Sequence, residues 1–189
     1  MSHASILYQI SDVAAGVNYL HQSGVIHGDL KPPNILVDAD GRAAVGDFGL
    51  SSIRDGLGLD GSSLSSGVPR NGTIRYLAPE SFNPDLKAHK TPASDVFAFG
   101  LICYFVLSGN HPFHEIGSND KVLVKIARGD RPPLPTDVKS IARGLTPPMW
   151  RFMQDCWEHD PQYRPNATQI VERLSHQKRT VQNVAVGGR

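Results

Sequence analysis

The sequence predicts a mainly α fold, a helical bundle around one buried central helix, with a small β-hairpin set into it. Three observations carry this expectation. Ile6, Ile10, Val13, Val17 and Leu20 recur at helical spacing. The run "VFAFGLICYFVL" at 96–107 is apolar on every side, as a helix enclosed by others must be. The short runs "ILV" and "AAV" flank "DADGR", a turn between two strands.

Each element has its own signal. The first pattern gives an opening amphipathic helix of about five turns, which Gly24 stops. A short strand at "VIH", 25–27, follows. Asp40-Gly41 is a strong signal for a two-residue type I′ turn, and such a turn sets a register in which Val37 faces Ala44, Ile35 faces Gly46 and Asn34 faces Asp47. An amide and a carboxylate then sit side by side at the open end of the hairpin. Opposed Cβ atoms there lie about 4.5 to 5.5 Å apart, a gap that suits two oxygen ligands sharing one hard cation.

Residues 51–72, rich in Gly and Ser and poor in apolar side chains, read as a long loop of the kind that is usually functional. Thr91-Pro92 reads as an N-cap with proline at the first helical position, opening the buried helix that runs through Leu107. Ser118, Thr146-Pro147 and Asn166 with Gln169 open three further helices. The last fifteen residues show no sustained pattern, so the domain is expected over 1–174 and a flexible tail over 175–189.

Composition narrows the function classes. In 189 residues, 19 Lys and Arg stand against 18 Asp and Glu, a net charge of +1, so no global field points toward nucleic acid or an anionic membrane. Cys103 and Cys156 lie far apart in apolar surroundings without metal spacing, which reads as reduced, buried thiols of an intracellular, cytoplasmic protein. The start "MSHASILYQI" lacks the basic region of a signal peptide, and the longest apolar run falls short of the ~20 residues of a bilayer span.

Three ordered motifs carry the chemistry: "HGDLKPPN" at 27–34, "DFG" at 47–49 and "APE" at 78–80. Taken singly, Asp29 and Asn34 are ordinary turn residues and Lys31 an ordinary surface cation; their joint order is not ordinary. In that order they resemble the protein kinases, whose signatures are a catalytic loop with a downstream Asn, D-F-G and A-P-E. "SDVFAFG" at 94–100 and "CWEHDPQYRP" at 156–165 look like that family's central helix and its late Cys-Trp and Arg segment, as in its tyrosine-kinase-like branch. The resemblance covers about residues 5–174.

The resemblance implies the helical carboxy-terminal lobe of a protein serine/threonine kinase, with the hairpin at the catalytic loop. The activity it implies is transfer of phosphoryl from ATP, with Mg2+, to a hydroxyl of a protein substrate. Asp29 would be the catalytic base and Lys31 a compact cation beside the transferred group. Asn34 and Asp47 would hold Mg2+ against the nucleotide phosphates, and Leu36 would floor the adenine. His27 and Phe48 would join an apolar spine. Asp95, bottom-up a first-turn acid favoured by the helix dipole, would bond the catalytic-loop backbone, and Glu80 would pair with Arg164. Lys31 and Thr73 resemble the serine/threonine pattern. Gly28 stands where most relatives carry an arginine that grips a loop phosphate, so the 51–72 loop is not expected to be switched through that contact.

Two matches are decoys. "GLGLDG" at 56–61 fits a phosphate-covering pattern but follows no strand and precedes no helix. "VLVKI" at 122–126 imitates a nucleotide-lysine strand inside a helical pattern, which makes Lys125 a surface residue.

Only 26 residues precede His27, too few for the β lobe that carries the glycine loop and the strand lysine. The expectation is therefore an absent N-terminal lobe and an uncovered apolar face, including Leu36 and Phe48, open to a covering partner. The isolated chain is expected to transfer little phosphate. The alternative reading is a pseudokinase-like binding or scaffold fragment.

Overall fold

The computed structural model describes residues 3–47, 52–53, 74–82 and 90–187, and the architecture is that of these residues. Helix α1, His3–Gln22, buries Ile6, Ile10, Val13 and Val17, the stripe its spacing sets out. It ends before Gly24, whose φ is 74°.

Helix α2, Pro92–Ser108, is the centre of the core. Phe97 and Cys103 are fully buried, and Val96, Phe99, Leu101 and Tyr104 almost so. Its start is a reciprocal cap: the Ser94 N–H donates to Thr91 Oγ1 at 3.0 Å and the Thr91 N–H donates to Ser94 Oγ at 2.9 Å. Thr91→Ala is expected to cost about 1 kcal/mol, read from the urea midpoint. Gly109, φ 77°, closes the helix by donating its N–H to the Phe105 carbonyl.

Helices α4 (Val138–Ala142) and α5 (Pro147–Cys156) pack on α2, α3 (Asn119–Ala127) packs on the 3₁₀ turns Ile74–Tyr76 and Pro79–Phe82, and α1 packs on α6 (Ala167–Gly187), on α2 and on the hairpin. Ser118 caps α3 and Thr146 caps α5, and at the start of α6 the Asn166 N–H bonds Gln169 Oε1 while the Gln169 N–H bonds Asn166 Oδ1. The three expected helix starts are thus present. Lys125 is half-exposed in α3 and pairs with Asp130 at 2.8 Å, as its helical setting implied.

One helix, α4, has no counterpart among the expected elements. Helix α4 has no apolar stripe to announce it, because Val138 and Ile141 are exposed; Asp137 starts it by accepting from the Ser140 N–H. Helix α6 runs to Gly187. Past Leu174 it still has a partner, since Lys178 Nζ lies 5.1 Å from the ring centroid of Tyr8 on α1. A lysine stem over a tyrosine leaves no hydrophobic period to read.

The strands form two separate two-stranded antiparallel sheets. Strand β1, Val25–Ile26, pairs with β4, Ser52–Ile53, inside the stretch read as loop. Two residues among Gly and Ser carry too little pattern to be seen. Strands β2, Ile35–Val37, and β3, Ala43–Val45, make the expected hairpin with a different register: Ile35 faces Val45, Leu36 faces Ala44 and Val37 faces Ala43. The Asp38 N–H bonds the Arg42 carbonyl and the Gly41 N–H bonds the Asp38 carbonyl, with Gly41 at φ 80°. The connection is therefore a three-residue loop, Ala39-Asp40-Gly41, with its last residue left-handed, instead of a two-residue turn. The added residue slides every pair by one. Gly41→Ala, which has open space around the new methyl but the wrong φ, is expected to cost about 1 kcal/mol of stability.

Helix α1 carries this hairpin. Arg42 donates from Nε at 2.8 Å and from Nη2 at 3.0 Å to the Asp12 carboxylate, which also accepts the Ala43 N–H at 3.2 Å. Burial acts to raise the Asp12 carboxyl, but the bonds from Arg42 and Ala43 outweigh it and hold the group below the usual carboxylate range. Both cysteines are free and buried, and burial pushes their thiols up. No helix among the described residues is long and apolar enough to cross a membrane.

Candidate active site

The segment 27–34 leaves β1 and enters a 3₁₀ turn, Pro32–Asn34, that delivers Asn34 to the hairpin. Its backbone is held from below by α2. Asp95, 1% exposed, accepts the His27 N–H at 2.9 Å through Oδ2 and the Gly28 N–H at 2.8 Å through Oδ1. His21, at the end of α1, adds its Nε2 to Oδ2 at 2.9 Å. The first-turn acid of the buried helix is therefore the anchor of the loop, as the family resemblance implied.

His27 is fully buried and ties the loop to the hairpin. Its Nδ1 accepts the Asp29 N–H at 3.2 Å, which assigns the ring proton to Nε2, and that nitrogen lies 2.9 Å from the Gly46 carbonyl. Phe48, its expected stacking neighbour, lies outside the described residues, as do Thr73 and the glycine run 56–61.

Asp29, Lys31 and Asn34 come together. Lys31 Nζ lies 2.6 Å from Asp29 Oδ2, and Asn34 Nδ2 donates to the Asp29 carbonyl oxygen at 2.9 Å, with its carboxylate Oδ2 at 3.4 Å. The short Lys31 contact is charge-assisted in a mostly buried setting. Because the Asn34 nitrogen is committed to Asp29, its side-chain carbonyl is turned away from that residue.

Asp47 is placed differently from expectation. The Gly46 N–H bonds the Asn34 backbone carbonyl at 2.8 Å, so Gly46, not Asp47, stands opposite Asn34. Asp47 follows one residue later, exposed and at φ 57°, a left-handed conformation that non-glycine residues adopt at some cost. The strand alternation stops there, so the hairpin register does not pair the amide with the acid. The cause is the extra loop residue at the far end. Leu36 lies on the outer face of β2, 63% exposed beside Val37, which is 50% exposed.

The walls around Asp29 are fixed by further contacts that the motifs do not name. Arg75 pins its 3₁₀ turn, Ile74–Tyr76, by donating to the carbonyls of Pro112 and Phe113 from Nη1 and of Ile116 from Nη2. Tyr76 joins His111 Nδ1 at 2.9 Å. A cavity of about 130 Å³ remains, lined by Asp29, Leu30, Tyr76, Leu77, Lys90 and Asp95 among others. Farther down, Arg164 forks onto Glu80 through Nη1 at 2.6 Å and Nη2 at 2.9 Å, the bidentate pair expected of the two residues.

Among the described residues no group of three or more His, Cys, Asp or Glu could form a metal cage. The donors present are the Asn34 amide carbonyl and the carboxylates of Asp29 and Asp47. That set fits magnesium, which takes one or two protein oxygens and completes its shell with phosphate and water.

Asp29, Lys31 and Asn34 thus share one short loop on a helical lobe, and comparison with known proteins gives the family to which such a lobe belongs. Residues 1–174 match the family model described as protein tyrosine and serine/threonine kinase, and the chain belongs to that family. Receptor-interacting serine/threonine-protein kinase 2 of Bos taurus is 31% identical over 182 residues, covering 93% of this chain and 33% of that protein. Receptor-interacting serine/threonine-protein kinase 1 of Homo sapiens is 33% identical, covering 87% and 25%. The Raf homolog serine/threonine-protein kinase of Caenorhabditis elegans is 32% identical, covering 90% and 20%. The chain thus spans a third or less of the length of these relatives.

Proposed function

We propose that this chain is the acceptor-side half of an ATP-dependent protein serine/threonine kinase, acting on protein hydroxyls. The observation that carries the reading is the buried Asp29 at the mouth of a cavity, with Lys31 and Asn34 both turned onto it. Asp29 takes the proton of the acceptor hydroxyl. Lys31 fixes the carboxylate and supplies a positive charge beside the reacting group. The Asn34 side-chain carbonyl and the Asp47 carboxylate would hold Mg2+, and Leu36 would lie against the adenine. Bound Mg-ATP supplies the transferable phosphoryl group and the cation that neutralises it.

The exposed Leu36 and Val37 support a further element of the reading, that another protein segment covers this face during catalysis. The test is transfer of labelled γ-phosphate to a serine/threonine substrate by this chain joined behind the preceding segment of the bovine relative. Asp29→Asn is expected to lower the rate about 10² to 10⁴-fold. Equal transfer by Asp29→Asn would remove the base from the site. Failure of the unmodified fusion to transfer phosphate at all, with the partner-binding face intact, would favour the scaffold alternative.

A further inference from the structure

A second lysine reaches the loop from outside the motifs. Lys90, which precedes the Thr91 cap of α2, lays its side chain across the backbone of Gly28. Gly28 has φ 73°, and a Cβ built there would lie 2.4 Å from Lys90 Cδ and 3.0 Å from both Cγ and Cε. An approach of 2.4 Å is one that real Cβ atoms essentially never show, so the lysine stem occupies the volume that a side chain at 28 would claim. The glycine therefore has a use here besides its φ: it makes the seat for Lys90.

Lys90 shares a cavity wall with two buried acids on different elements, Asp29 of the loop and Asp95 of α2. Asp95 already binds the His27 and Gly28 N–H groups and meets His21; Asp29 already meets Lys31. Burial pushes the Lys90 ammonium below its ordinary range, and the charges of Asp29 and Asp95 work against that loss. Two acids in low dielectric repel each other unless a cation lies near both.

We propose that Lys90 is a positioning residue of the catalytic loop: its stem packs on Gly28, and its ammonium serves as a common counter-charge to Asp29 and Asp95, joining the loop to the central helix. The functional weight of this inference rests on Asp29 being the base, but its test uses no catalysis, so either can fail without the other.

The test has two arms on the 189-residue chain. In the first, Gly28→Ala, Lys90→Ala and the double variant are unfolded in urea. Gly28→Ala is expected to lower the folded-to-unfolded ratio about tenfold more with Lys90 present than with alanine at 90; additive effects would overturn the packing. In the second, hydrogen exchange is followed at the amides of His27, Gly28 and Asp29. Lys90→Met keeps the stem and drops the charge, and is expected to speed exchange about tenfold, while Lys90→Arg restores protection. Equal protection in the Met and Arg variants would overturn the counter-charge role. Should Gly28→Ala fail to fold in both backgrounds, the lysine variants decide on the second arm alone.

Discussion

Asp95→Ala is expected to destabilise the protein by about 3 kcal/mol and to loosen the 27–34 loop before anything else. The carboxylate accepts two backbone N–H groups, of His27 and Gly28, and contacts His21, all at a site 1% exposed. Alanine leaves those donors buried without an acceptor, and each such donor costs about 1 to 3 kcal/mol. Asp95→Asn should fall between, because its one carbonyl oxygen can serve one donor while its NH2 faces the other. Urea denaturation checks the order, and exchange at the His27 and Gly28 amides locates the effect. An Asp95→Ala protein within about 0.5 kcal/mol of the parent, the range of ordinary surface substitutions, would show that Asp95 is not the anchor.

The second large effect is expected at Arg164, whose side chain is fully buried. Besides its fork to Glu80, the guanidinium donates to the carbonyls of Glu158, Ala93 and His159, and it lies 4.9 Å from the Phe97 ring centroid. It thus joins the segment 79–82, the start of α2 and the loop before α6 in one stroke. Arg164→Met preserves the apolar stem but strands the Glu80 carboxylate, and should cost about 3 to 5 kcal/mol. Adding Glu80→Gln to Arg164→Met should recover part of that loss by removing the stranded charge. No recovery in the double variant would mean that the carbonyl contacts, not the ion pair, hold the junction. Arg164→Lys should fare little better than methionine, since an ammonium cannot reproduce a planar fork.

How far these sites could be read from the chain alone depends on the range over which each contact acts. Helices α1, α2, α5 and the start of α6 were legible because caps and periodicity are set by neighbours three or four residues apart, as at Thr91 with Ser94 and Asn166 with Gln169. The meeting of Asp29, Lys31 and Asn34 was legible for the same reason: it occurs within one short turn. The pairing of Asn34 with Asp47 was not, since it was deduced from a turn that takes three residues instead of two, and a one-residue slip passes undiminished along the ladder.

Local patterns of side-chain type were enough to give the family, most of the helices and the grouping of Asp29, Lys31 and Asn34. Packing between distant segments settles the rest: Gly46 stands opposite Asn34, His21 and Lys90 gather at the two buried acids, and α6 continues along α1 past residue 174. Those outcomes depend on which surfaces come to share a small volume, and the residues involved, such as His21 and Asp95, stand 74 positions apart with no common motif to announce that they meet.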